Sequence, residues 1–132
     1  MNAICVNPED IASVWPKVSV LIRAAMMRGG LGSYSVVEKR VLAGDNLLWL
    51  AIDGDRLCGA AVTSLEQTEW NKSCVIVACG GYNVENWIGC IEPIEKFAKA
   101  EGCDRVLIYG REGWQRMLPT YRPKRIVLER AL

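Results

Sequence analysis

Ser73-Cys74-Val75-Ile76-Val77-Ala78-Cys79-Gly80-Gly81, taken together with the residues up to Tyr109, decides the fold. From Ser73 to Cys79 the chain is apolar on both alternating faces, the pattern of a strand at the centre of a sheet covered on both sides. A loop, Gly80-Gly81-Tyr82-Asn83, comes next. The spacing then predicts a helix from about Glu85 to Ala100, with Trp87, Ile88, Ile91, Ile94, Phe97 and Ala98 on one face and Gly102 as its cap. Arg105 to Tyr109 reads as the next strand. A connection of helical length lets those two strands run parallel as neighbours, which a tight turn does not.

Working outward toward the N-terminus, Leu47 to Ile52 is a strand. Asp53-Gly54-Asp55 is a tight turn, because Asp-Gly supplies the positive φ angles such turns need. Leu57 to Leu65 is the returning strand, and Glu69-Trp70-Asn71-Lys72 turns the chain again. Earlier still, Ile4-Cys5-Val6 is a short strand candidate. Asn7-Pro8-Glu9-Asp10 reads as a helix start, with Asn7 as N-cap and Pro8 at the first helical position. Ile11, Val14, Trp15, Val18, Leu21, Ile22 and Ala25 continue that helix on one face, and Pro16 is expected to kink or break it near Trp15. The run from Arg28 to Gly32 ends it. Ser35-Val36-Val37-Glu38 has the capping-box pattern with Tyr34 as staple, opening a short helix that stops at Gly44. On the other side, Arg111 to Leu118 is a short helix halted by Pro119, and Ile126 to Leu132 is a last strand. The order predicts one domain over residues 1–132, an α/β (α+β) fold. It has a mixed central sheet with antiparallel hairpins, one β-α-β crossover and helices on both faces.

Composition limits the function classes. The 132 residues are 51% hydrophobic and carry a net charge of +1. A chain of this size buries roughly two-thirds of its unfolded surface, enough for a core without disulfides or metals. The near-neutral balance gives no general reason to expect nucleic acid as a partner, and no apolar run approaches the ~20 residues of a membrane span. Charge is unevenly spread, however: residues 105–130 carry net +5 and residues 1–104 carry −4. This basic C-terminal face is either solvated arginines or a site for an anion or an acidic partner. The six cysteines form no Cys-x-x-Cys pair, and the chain has no histidine, so no metal site is expected. The cysteines read as structural thiols of a reducing, cytoplasmic setting, and no signal peptide is visible. Without histidine, any general base must be Asp, Glu, Tyr, Cys, Lys or water.

The element order resembles the GNAT acetyltransferase superfamily over nearly the whole chain. More narrowly, the sequence resembles small GNAT-like proteins of tailed phages and prophages, which would place it in a host cytoplasm or a virion. The residues carrying this are Leu48-Trp49-Leu50-Ala51, Asp53-Gly54-Asp55, Gly59-Ala60-Ala61-Val62-Thr63, Gly80-Gly81 before Trp87, and Gly110-Arg111-Glu112-Gly113-Trp114-Gln115-Arg116-Met117-Leu118 leading to Leu128-Glu129.

The resemblance implies acetyl-CoA lying where the two parallel strands splay apart. Its pantetheine arm would sit on the backbone from Val77 to Gly80, and its diphosphate on main-chain N–H groups opening the next helix. The implied cofactor-binding residues are Val77, Cys79, Gly80, Gly81, Asn83 and Asn86. The usual loop signature is Arg or Gln, two residues, Gly, one residue, then Gly or Ala; here Gly80-Gly81-Tyr82-Asn83-Val84-Glu85-Asn86 stands instead. No Lys or Arg occurs between Lys72 and Lys96, and Glu85 would repel a diphosphate ~5 Å away by roughly 1–3 kcal/mol. Gly80-Gly81 either permits close backbone approach of a ligand or simply makes a strand-to-helix turn.

For catalysis the resemblance implies Tyr121 as acid and Glu66, or a water, as base. Tyr121 is equally read as a packing residue and Glu66 as a solvated turn residue. Trp114, between Arg111 and Arg116, makes either a protein-recognition patch or a core residue of a short helix. Two functions are compatible with these residues: an acyl-CoA-dependent N-acyltransferase, or an inactive GNAT-fold phage or prophage structural or accessory protein that binds a protein partner through Arg111, Trp114 and Arg116.

Overall fold

The computed structural model describes residues 1–29, 32–110 and 113–132. Five strands form one sheet in sequential order: β1 (Asn2–Cys5), β2 (Leu47–Asp53), β3 (Arg56–Gln67), β4 (Lys72–Gly81) and β5 (Arg105–Ile108). The first four are antiparallel neighbours, and β5 lies parallel to β4 with Ser73 opposite Arg105 and Ile76 opposite Ile108. The mixed sheet with a single crossover is therefore as expected. The β2–β3 turn places Gly54 at a φ of 64°, the positive angle that the Asp-Gly turn requires.

Helices cover both faces. On one face, α1 (Ile11–Gly29) and α2 (Tyr34–Ala43) pack Trp15, Val18, Ile22, Val37 and Val41 onto Leu48, Leu50, Ala60 and Val62. On the other, α3 (Ile91–Ala100) packs Ile91, Ile94 and Ala98 onto Trp49, Ala61, Cys74 and Ile76. The strict alternation of Leu48 and Leu50 against Trp49 is what assigns the two faces. Each fully buried aliphatic side chain here contributes about 1.5–3 kcal/mol relative to exposure. Trp49 meets its polar requirement inside this core, its indole N–H donating to Thr63 Oγ1 at 2.9 Å.

Several local expectations are corrected. α1 runs unbroken through Pro16, and Pro8–Asp10 forms a tight 3₁₀ turn leading into it. One lost backbone hydrogen bond in the second turn is outweighed by six buried side chains along the helix. The capping box is not formed: α2 starts at Tyr34, and Glu38 instead accepts from Trp15 Nε1 at 2.8 Å and from the Tyr34 hydroxyl at 3.0 Å. That carboxylate ties α2 to α1. Gly44 ends α2 in the left-handed conformation, as expected.

The crossover helix is shorter than its apolar periodicity suggests. Val84–Asn86 and Ile88–Cys90 are separate 3₁₀ turns, and the α-helix begins only at Ile91. Pro93 explains the boundary. In the first turn its missing N–H costs nothing, whereas in a helix begun at Glu85 its ring would clash with the Gly89 carbonyl.

At the C-terminus, α4 (Trp114–Met117) is a single turn, and residues 122–132 form neither helix nor strand. The expected strand from Ile126 to Leu132 is absent, and those residues are exposed. A strand needs a ladder partner, and residues 122–132 pair with no described strand.

Candidate functional site

The parallel pair β4–β5 is short, and its end creates the site. Pairing stops at Ile76 and Ile108, with one last bond beyond them from the Tyr109 N–H to the Ile76 carbonyl at 3.4 Å. β4 nevertheless continues to Gly81, paired to β3 on its other side. Register identifies the cause. Val62 is opposite Ala78 and Thr63 is opposite Ile76, so Val77 is an extra residue, a β-bulge. The bulge shifts the alternation by one. Cys74, Ile76 and Cys79 face α3, while Val77 and Ala78 face α1. A bulge disrupts the ladder and turns its strand, and this one falls one residue past the last β4–β5 pair.

A cleft of about 650 Å³ opens at this splay. One wall is β4 from Ile76 to Gly81 with Asn83, Val84, Glu85 and Trp87, and the other is Ile108, Tyr109, Gly110, Gly113, Trp114, Arg116 and Met117. The end of α1 supplies Ala25, Met26, Arg28 and Gly29. From Val77 to Gly81 no described strand pairs with β4 on the β5 side, so its main-chain donors and acceptors on that side are open to a ligand.

Gly80 and Gly81 are demanded by packing rather than by a turn. A Cβ on Gly81 would lie 2.2 Å from the Cys58 carbonyl oxygen and 2.6 Å from the Gly59 Cα. On Gly80 it would meet the Leu21 carbonyl and the Ala25 Cβ, each at 3.1 Å. These contacts seat β4 tightly between β3 and α1 and leave the cleft-facing edge bare. Trp87 closes the loop end: it is 3% exposed, stacks close to Gly59, and its indole N–H donates to the Tyr82 carbonyl at 2.9 Å. Asn83 adopts a left-handed φ of 49° on the way into that turn.

Of the residues expected to hold a cofactor, Val77, Cys79, Gly80, Gly81 and Asn83 line the cleft; Asn86 is not among its lining residues. Cys79 serves as wall and not as nucleophile, because burial pushes its thiol up to about 12. Cys74, beneath it, is pushed up to about 11 by burial first and the neighbouring Cys103 second. Both read as packing thiols.

The two expected catalytic residues are not brought together. Glu66 sits opposite Ser73, toward the far end of β4 and about 25 Å along the strand from Gly81. It is exposed there and does not line the cleft. Tyr121 packs half-buried beneath α3, and its hydroxyl donates to Glu95 Oε2 at 2.7 Å. Burial, then this carboxylate, pushes its phenol above the ordinary range. Trp114 is half-buried in the cleft wall against Gly110, and Arg116 is exposed on the same wall; Arg111 lies outside the described residues. No group of three or more potential metal ligands occurs among the described residues.

Two site residues escape a linear reading of the chain. Arg28 comes from the last turn of α1, more than fifty positions before the loop it serves, and its guanidinium lies against Gly80. It supplies positive charge where the loop itself has none. Tyr109 brings a phenol to the cleft from the end of β5. A basic last turn on α1 is visible in the sequence, but only the packing of α1 across β4 aims it at the cleft.

No protein-family model matches the chain, and no curated protein matches it in sequence. Solved structures do match. A protein described as a probable acetyltransferase covers 100% of this chain and 97% of its own, with a TM-score of 0.71 at 13% identity. A structure from Clostridium acetobutylicum, described as a predicted acetyltransferase with acetyl-CoA, covers 98% and 95%, with a TM-score of 0.68 at 11% identity. A GNAT family acetyltransferase from Staphylococcus aureus covers 99% and 98%, with a TM-score of 0.66 at 13% identity.

Proposed function

The chain has the GNAT acetyltransferase fold, and from that premise we propose that it is an acyl-CoA-dependent N-acyltransferase whose cofactor lies in the β4–β5 cleft. The observation that carries this reading is the bare edge of β4 from Val77 to Gly81 facing a cleft that Arg28 and Arg116 make positive. Open main-chain groups on β4 suit the amides of an extended pantetheine arm, in the way a sheet edge accepts a strand. Arg28 and Arg116 suit its phosphates, offsetting Glu85 in the β4 wall.

When bound, acyl-CoA supplies an activated thioester that an amine attacks. The chain's own part is to orient that arm, exclude water with Trp87, Trp114 and Met117, and provide a proton near the leaving sulfur. Tyr109 is the phenol lining the cleft, and it takes in this reading the acid role first expected of Tyr121. The amine's proton goes to Glu85 or to water.

Thermal melting with and without millimolar acetyl-CoA tests the proposal. Ligand at a hundred times its dissociation constant adds about 2.7 kcal/mol, and the melting point is expected to rise by several degrees. An unchanged melting point overturns it.

A second reading keeps the fold as a scaffold that binds a protein partner, as in the phage and prophage resemblance. Glu85 in the cleft wall, and the absence of the usual loop signature, favour it. Under this reading acetyl-CoA leaves the melting point unchanged, and Arg116→Glu abolishes capture of the partner.

A further inference from the structure

The charged side chains among the described residues lining the cleft are Arg28, Glu85 and Arg116, and they sum to +1. Arg111 and Glu112, outside the described residues, sum to zero. Coenzyme A brings about four negative charges, about two on its diphosphate and about two on its 3′-phosphate, whereas a phosphopantetheine arm brings one phosphate worth about 1–2. The charge of the cleft matches the arm with one phosphate and falls well short of the whole coenzyme.

Length places that phosphate. At the closed vertex of the splay, Ile76 and Ile108 are apolar and offer nothing to an anion. At the other end the Arg28 guanidinium lies against Gly80. From Ile76 to Gly81 the strand runs about 16 Å, at about 3.3 Å per residue. A pantetheine arm has about thirteen bonds from sulfur to phosphorus and spans about 16 Å when extended. With its sulfur at the vertex, the arm brings its first phosphorus to Gly80 and Gly81, beside Arg28.

Past Gly81 the chain offers little to any further phosphate. Val84–Asn86 and Ile88–Cys90 are three-residue turns, and α3 opens only at Ile91, ten positions after Gly81. Its first turn carries Glu92, a carboxylate, and Pro93, which has no N–H. No Lys or Arg occurs between Lys72 and Lys96, and Glu85 lines the cleft. Nor is an aromatic platform for adenine built into the wall here: the Tyr82 ring is 62% exposed and is not among the lining residues.

We propose that the cleft reads its donor only as far as the first phosphate, so that its substrate class is an acyl thioester of 4′-phosphopantetheine. The adenosine half of coenzyme A then contributes nothing to affinity, and the same arm carried on a protein is recognised by the same groups. The inference rests on the reading of the cleft as an acyl-thioester site. Arg28 is its specificity determinant, a guanidinium placed for one phosphate at the end of the bare β4 edge.

Calorimetric titration of the full-length chain with acetyl-CoA, acetyl-4′-phosphopantetheine and acetyl-pantetheine tests it. The first two should bind within about threefold of each other, and acetyl-pantetheine about tenfold more weakly, for want of one charge-assisted contact. Arg28→Gln, at an exposed helix end, should lower acetyl-4′-phosphopantetheine to the affinity of acetyl-pantetheine. It should leave acetyl-pantetheine binding and the circular dichroism spectrum unchanged. The arm borne on an acyl carrier protein separates the two sources: binding at least as tight as that of the free arm assigns the donor to a carrier, and weaker binding assigns it to coenzyme A. Either result keeps the inference. Acetyl-CoA binding more than about tenfold tighter than acetyl-4′-phosphopantetheine overturns it while leaving the cleft reading intact. Equal binding of the arm with and without its phosphate does the same. No binding by any of these titrants overturns the cleft reading and this inference with it.

Discussion

From β2 to β5 the sheet changes character. Leu48, Val62, Val75 and Ile76 are 0–1% exposed, enclosed by α1 and α2 on one side and by α3 on the other. On β5, one strand further, Val106, Leu107 and Ile108 are half-buried, and beyond them lie a one-turn helix and an exposed tail. The enclosed part holds the fold, and the loosely enclosed part borders the cleft. The Val77 bulge marks the boundary, because there β4 stops serving as the partner of β5 and becomes the wall of a cleft.

Truncating one side chain from each region gives the largest expected contrast. Ile22→Ala, in the enclosed core, should cost about 2–5 kcal/mol in urea unfolding. Leu107→Ala, on the half-buried β5, should cost about 1.5 kcal/mol. Equal losses would erase the distinction between the two regions.

How much of this is legible in the sequence tracks the same boundary. The meander and its Asp53-Gly54-Asp55 turn, the two-sided apolar β4 and the parallel β5 are all readable, because each depends on local periodicity and turn chemistry. The cleft's location is readable through the fold resemblance, and Val77, Gly80 and Gly81 do lie in it. The rest is decided by tertiary contact. Arg28 reaches Gly80 only through the crossing of α1 over β4, and Glu38 caps nothing because Trp15 and Tyr34 claim its carboxylate. Pro93 stands in the sequence as a boundary signal, but the apolar stripe from Trp87 to Ala98 masks it. The C-terminal segment is strand-like in composition, yet strand formation needs a ladder partner, and it pairs with no described strand.

A smaller effect separates the packing tyrosine from the cleft. Tyr121→Phe removes a part-buried hydrogen bond to Glu95 and should cost about 1 kcal/mol in stability. Acetyl-CoA affinity should not change. A loss of affinity with intact stability would return Tyr121 to the site.

The smallest expected effect is a pH dependence at the α1–α2 clasp. The hydrogen bonds from Trp15 first and Tyr34 second hold the Glu38 carboxyl below its ordinary value of 4.5. A depressed carboxyl contributes stability that is present above pH 4.5 and is lost as the pH falls through its folded value. Glu38→Gln should flatten that part of the stability profile below pH 4.5 and leave the profile near neutrality parallel to wild type. An unaltered acid limb in the variant would show that the clasp does not hold the two helices.

The central claim, that the bare edge of β4 is where acyl-CoA binds, is tested most directly by tracking backbone amide resonances as acetyl-CoA is added. The account predicts saturable shifts concentrated at Val77–Gly81 and Asn83, with the Trp114 indole moving alongside them. Arg28→Glu should weaken the titration about tenfold, a charge pair's worth of some 1.4 kcal/mol. Shifts gathered elsewhere on the molecule, or none at millimolar ligand, would contradict it.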